Sequence, residues 1–285
     1  ERLRLPMKIP RSWTTAALLV LCYLNLTTSA EGELPDLDKE PWRVCFAGYE
    51  NSKVRLSIYS SGGVLIEPIM SQGEPFAYVN MPVVYGLEKT MPNGAKKILE
   101  VLPESLESDD EPSAKFKETT IRGKVEGGAV FEVIIGQNRG EVSIGGKITD
   151  PGTHEAASLR FHVSARVLNF YGRKKKELGN NSKAFEQLIK DDSLKFKWSN
   201  GKRKKLDFME PRDMASEEIN GQGVVEAAVE IGSLKKTFQF EATEKSAITF
   251  SNRKGAELNE GMLLNWSPDA KEDAKTEARF VISVK

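Results

Sequence analysis

The sequence predicts an all-β chain: a large antiparallel two-sheet β-sandwich, supersandwich-like or two sandwiches fused, with one short helix. Two observations carry that prediction. Apolar and polar residues alternate over many short runs, and Gly, Asn, Ser or Pro separate one run from the next. Val54, Leu56 and Ile58 alternate with Arg55, Ser57 and Tyr59, and a Ser-Ser-Gly-Gly turn leads into Val64, Leu65 and Ile66. Phe131, Val133 and Ile135 precede a turn over 136–140, and Val142 and Ile144 follow it. Further runs occupy 224–231, 237–240, 247–250, 262–266 and 279–284. About a dozen such runs are present, roughly twice an immunoglobulin-type complement.

The longest alternating strand is 159–167. Leu159, Phe161, Val163, Ala165 and Val167 take the core face, which leaves Arg160, His162, Ser164 and Arg166 in a row on the other. Next comes a hairpin whose register can be argued. A two-residue loop at Asn200 and Gly201 would put Leu194, Phe196 and Trp198 on the face opposite to Leu206 and Phe208. A three-residue loop, Ser199, Asn200 and Gly201, pairs Leu194 with Leu206 and keeps both apolar sets together. It also requires Gly201 in the left-handed region with a bulge.

The helix falls at 182–190, with Ser182 as cap and Phe185, Leu188 and Ile189 on one face. The acidic segment 104–112, with Pro103 before it and Pro112 at its end, reads as a loop, and a subdomain boundary is expected near 104–113. Trp198 and Trp266 lie in apolar runs and read as core residues rather than sugar-stacking platforms.

At the amino end, Lys8 and Arg11 precede a 14-residue apolar stretch over 13–26, with Thr28 and Ala30 at the exit. That is the plan of a cleavable signal peptide starting at Met7, cut after Ala30, with residues 1–6 upstream of it. The stretch is shorter than the ~20 residues a bilayer span needs, so no transmembrane anchor is expected after cleavage. The chain divides into 1–30, a polar leader over 31–41 and a β-sandwich domain over 42–285, secreted or periplasmic. Of 41 basic and 41 acidic side chains, four basic and one acidic lie in 1–30, so the remainder carries a net charge of −3. That balance argues against a nucleic-acid coat. Cys22 leaves with the signal, and Cys45 is then alone, unable to form an intrachain disulfide and expected to pack in the core.

Chemistry-bearing residues are few. Only His154 and His162 are present, so neither a three-His zinc site nor a metal or organic cofactor is expected. No Gly-x-Ser-x-Gly elbow, phosphate-binding glycine loop or dinucleotide fingerprint appears. The row Arg160, His162, Ser164 and Arg166 reads either as a solvated outer face or as a surface matched to hydroxyls and carboxylates. His162 is the candidate acid or base, and His154 belongs to a Pro-Gly turn. Two basic runs, Arg173, Lys174, Lys175 and Lys176, and Lys202, Arg203, Lys204 and Lys205, form a secondary patch for an acidic polysaccharide, unless they only protect a sheet edge.

In architecture, residues 42–285 resemble the broad class of carbohydrate-associated sandwiches, including galactose-mutarotase-like supersandwiches. The resulting expectation is an exported, non-catalytic binding module for an extracellular glycan or protein surface. The alternatives are a sugar-active enzyme using His162 as acid or base, and a structural envelope protein.

Overall fold

In the computed structural model, the described residues are 33–69, 80–167, 175–179, 181–244, 246–253, 255–268 and 277–285. The signal segment with its cleavage site, together with Arg173 and Lys174, lies outside them. The elements are β1 (Cys45–Glu50), β2 (Val54–Tyr59), β3 (Val64–Pro68), β4 (Met81–Thr90), β5 (Lys96–Leu99), β6 (Val101–Glu107), β7 (Glu118–Val125), β8 (Val130–Asn138), β9 (Glu141–Asp150) and β10 (Leu159–Val167). Helix α1 (Ser182–Ile189) follows, then β11 (Ser193–Trp198), β12 (Arg203–Asp207), the one-turn α2 (Glu217–Asn220), β13 (Val224–Ile231), β14 (Lys236–Ala242), β15 (Ser246–Ser251), β16 (Met262–Pro268) and β17 (Phe280–Val284).

The pairing between these strands is antiparallel and curls into two facing layers, and one isolated parallel bridge links Ala47 of β1 to Ser113. The first layer runs β1, β2, β3, β4, β10, β16, β15, with β5 beside the C-terminal half of β4. The second runs β12, β11, β13, β14, β17, β9, β8, β7, β6. A single pair, Val224 opposite Ile248, joins the layers in one ladder. The fold is therefore the all-β sandwich-like architecture that the alternation predicts.

Alternation works because successive side chains leave a strand on opposite faces. In β10, Leu159, Phe161, Val163 and Ala165 are all buried. Phe161 meets Phe131 of the facing layer and Trp266 of its own, each with centroids 6.4 Å apart. Trp266 in turn stacks on Phe280 of the second layer at 6.3 Å. Phe131 also takes the edge of Tyr85 at 5.9 Å. A Cβ on Gly146 would lie 2.3 Å from the Phe161 ring, so β9 needs glycine where that ring crosses it.

The hairpin adopts the three-residue loop: Leu194 pairs with Leu206, Trp198 N–H donates to the Lys202 carbonyl, and Gly201 has φ +85°. Two local expectations need correction. The cap of α1 is Asn181, whose side chain accepts from the Ala184 N–H, rather than Ser182. Residues 104–107 continue β6 instead of forming a loop. Leu106 is buried against the core among acidic neighbours that mask it in the sequence, and the irregular β6–β7 pairing accommodates Pro103 at the sheet margin. Cys45 is free and buried, and burial pushes its thiol pKa up. Trp198 and Trp266 are both buried, their indole N–H groups bonded to the Ile219 carbonyl and the Ser246 hydroxyl.

At one end the layers are clasped. His154, in the β9–β10 connection, donates from Nε2 to the Glu126 carbonyl at 2.8 Å and accepts at Nδ1 from Lys89 Nζ at 3.1 Å. Lys97 of β5 pairs with the Glu126 carboxylate.

Gly146→Ala should destabilise the chain by about 1–3 kcal/mol through overpacking on Phe161. Phe161→Ala should cost about 3–5 kcal/mol. Urea denaturation of the two variants measures both, and Gly201→Val should lose about 1–2 kcal/mol by the same assay for its left-handed backbone.

Candidate functional site

The polar row lies on the outer face of the first layer, and cross-strand register decides its surroundings. His162 stands opposite Gly86 and Ser164 opposite Val84 on β4. On the other side Ser164 faces Asn265 and Arg166 faces Leu263 on β16. Asn265 continues to Thr249 on β15. All of these except Gly86 line a cleft of about 1080 Å³ that also takes in Glu88, Lys96 and Ile98.

Three of the four residues in the row, His162, Ser164 and Arg166, line the cleft; Arg160 does not and is exposed. Arg160 is opposite Glu88, yet the Glu88 carboxylate pairs with Lys96 Nζ at 2.9 Å. His162 and Ser164 are buried, and Arg166 is exposed. No hydrogen-bond partner for the His162 ring or the Ser164 hydroxyl occurs among the described residues, and Arg166 has no ion pair there. These groups are free to address a ligand.

Gly86, opposite His162, has φ +159°, and a Cβ there would meet the Val101 side chain at 3.1 Å. Burial lowers the His162 pKa, Glu88 opposes that effect, and the Lys96 ammonium adds to it. A neutral imidazole beside a lysine-paired carboxylate can accept or donate a hydrogen bond without carrying charge. Val84 and Ile98 are among the few large apolar side chains left exposed, at 59% and 53%, and both border the cleft. Asn265 donates from Nδ2 to Ser251 Oγ at 3.0 Å. The hydroxyl of Tyr85, another cleft residue, is buried without a hydrogen-bond partner, and burial raises its pKa.

Glu88, Lys96, Tyr85 and Asn265 are not among the ligand-binding residues expected from the sequence. Each lies in an ordinary alternating run, and only strand pairing brings it to the cleft. Of the two basic runs, all but Arg173 and Lys174 fall within the described residues. Lys175 pairs with Glu260 at 3.6 Å and lies over the Phe185 ring at 5.0 Å, while Lys176 is exposed. Lys204 pairs with Glu218 at 2.6 Å. Lys202, Arg203 and Lys205 are exposed, the last two on the outer face of the second layer. Among the described residues no cluster of three or more His, Cys, Asp or Glu side chains could hold a metal, and no helix is long and apolar enough to cross a membrane.

No protein-family model matches the sequence, and no curated protein matches it. Among solved structures the chain is similar to α-N-acetylgalactosaminidase NagBb from Bifidobacterium bifidum, in its complexes with GalNAc and with Gal-NHAc-DNJ. Identity is 11% in both, with TM-scores of 0.49 and 0.48. The match covers 84% of this chain and 35% of the length of those chains.

Because the folded His162 ring binds a proton less readily than the unfolded one, unfolding takes up protons at mildly acidic pH. Stability should therefore fall as pH drops through about 6.5 and level off once the folded ring itself titrates. His162→Gln should flatten that slope, as read from urea midpoints between pH 5 and pH 7.5. An unchanged slope would assign the pH dependence to other groups.

Proposed function

We propose that this chain is an exported, non-catalytic β-sandwich that binds a glycan in the outer cleft of its first layer. The observation that carries the reading is the convergence of His162, Ser164 and Arg166 on a roomy concavity bordered by exposed Val84 and Ile98. Sugar rings present apolar C–H faces and a rim of hydroxyls. The apolar pair meets the former, while the guanidinium, imidazole, hydroxyl and Asn265 amide meet the latter. Nothing in this arrangement needs a cofactor. A protein surface is the alternative ligand, and the depth of the cleft favours the smaller one.

One observation favours a second reading. His162 and Glu88 line the same cleft, and an imidazole near a carboxylate can serve as acid or base in sugar chemistry such as anomer interconversion. The ion pair of Glu88 with Lys96 supports binding over catalysis, since it engages the carboxylate that would assist the ring.

A glycan-array screen of the full chain tests the proposal, followed by titration of the best-retained oligosaccharide. Arg166→Ala should weaken binding about 10- to 100-fold, the worth of a charged hydrogen bond. Absence of glycan binding, or affinity unchanged in both Arg166→Ala and His162→Ala, overturns the binding reading. Sugar turnover by the chain that disappears in His162→Gln would establish the enzymatic one instead.

A further inference from the structure

The second layer has a concave outer face of its own, a groove of about 670 Å³ crossing β12, β11, β13, β14 and β17. Register sets its charge pattern. Lys197 lies opposite Arg203 and Lys195 opposite Lys205, so two neighbouring strands gather four cations on one face. On β13, Glu226 stands opposite Lys197 and Ala228 opposite Lys195. Gln239 and then Ser283 continue the row from Ala228 across β14 and β17.

The inner two lysines are already engaged: Lys195 pairs with Glu230 and Lys197 with Glu226, both at 2.6 Å. Arg203 and Lys205 make no ion pair among the described residues, and both are exposed along one rim. Glu241, opposite Glu226 on β14, and Glu141, at the far end on β9, also line the groove, likewise without ion pairs among the described residues. Along the row from Lys195 to Glu141 the floor is uncharged, built from Ala228, Gln239 and Ser283.

This arrangement exceeds what edge protection requires. Charge on an edge strand needs only to point outward. Here Arg203, Lys204 and Lys205 of β12 all line the groove, Lys204 neutralised by Glu218 while Arg203 and Lys205 keep their charges unpaired among the described residues. We propose that the groove is a second binding site, separate from the cleft, for an acidic polysaccharide lying across the strands. Its carboxylate or sulfate groups meet Arg203 and Lys205, and its hydroxyls meet Gln239, Ser283, Glu141 and Glu241. Strand spacing makes the path from β12 to β9 about 24 Å, long enough for a chain rather than a single anion. The aromatic residues behind the groove, Phe196 and Phe240, are buried in the core and offer no platform for stacking bases. Carboxylates do accept from sugar hydroxyls, and the amide of Gln239 can both donate and accept.

The test titrates the full chain at low salt with oligogalacturonate, heparin oligosaccharide, neutral dextran and single-stranded DNA. One of the two acidic glycans should bind, which identifies carboxylate or sulfate as the recognised group, and the affinity should fall with added salt. The double variant Arg203→Glu/Lys205→Glu should lose at least about tenfold in affinity, and the milder Arg203→Gln/Lys205→Gln pair should lose part of that. Arg166→Ala, in the cleft, should leave it unchanged. The proposal is overturned if neither acidic glycan binds, if the charge reversal has no effect on a properly folded chain, or if DNA binds as well and with the same sensitivity. Because the cleft variants are read separately, failure here leaves the cleft reading standing.

Discussion

The ring of Phe161 is wedged between Phe131 of the opposite layer and Trp266 of its own, over a bare glycine at position 146. This packing ties the inner face of β10 to the core, and everything else about the strand follows. With Leu159, Phe161, Val163 and Ala165 committed inward, the pleat leaves His162 and Ser164 no choice but the outer face. A shift of one residue would bury the arginines and expose the aromatic ring, a cost of several side-chain transfers at once. The polar row is thus positioned by apolar packing on the reverse of the same strand, with no other device needed.

The core is held without crosslinks. Cys45 is free, so stability rests on burial between the layers, aided at one margin by the single ladder pair between Val224 and Ile248. The aromatic side chains connect the layers in a continuous series, from Tyr85 through Phe131, Phe161, Trp266 and Phe280 to Phe240. Such contacts add a modest directional term to the area they bury, and they fix how one layer sits on the other. Both outer faces are then free to curve, and each carries a concavity.

How much of this was legible beforehand depends on the range of the information. Alternation is local, so the β architecture, the inward set of β10 and the hairpin loop were all readable from residues a few positions apart. The hairpin was decidable because each candidate loop length has its own parity, and only one keeps Leu194 and Leu206 on the same face. The cleft was only half legible. His162, Ser164 and Arg166 announced themselves as a row, but Glu88, Lys96 and Asn265 belong beside them only through pairings between distant strands. Arg160 obeys the same alternation and still falls outside, because concavity is a property of several strands together. Leu106 was hidden for the opposite reason: its acidic neighbours and a nearby proline outweighed one apolar residue in a short window.

The His154 clasp has a mechanical consequence. Strand pairing resists pulling within a layer, whereas two stacked layers joined mainly by side chains can slide over one another as a shear. At the end where Glu126 and His154 meet Lys89 and Lys97, sliding would break an imidazole–carbonyl bond, an imidazole–ammonium bond and an ion pair together. Gly127 presses against that imidazole, with space there only for a hydrogen. Any side chain at 127 would displace the ring and open this clasp, leaving the interlocked aromatic side chains and the Val224–Ile248 pair to resist shear alone.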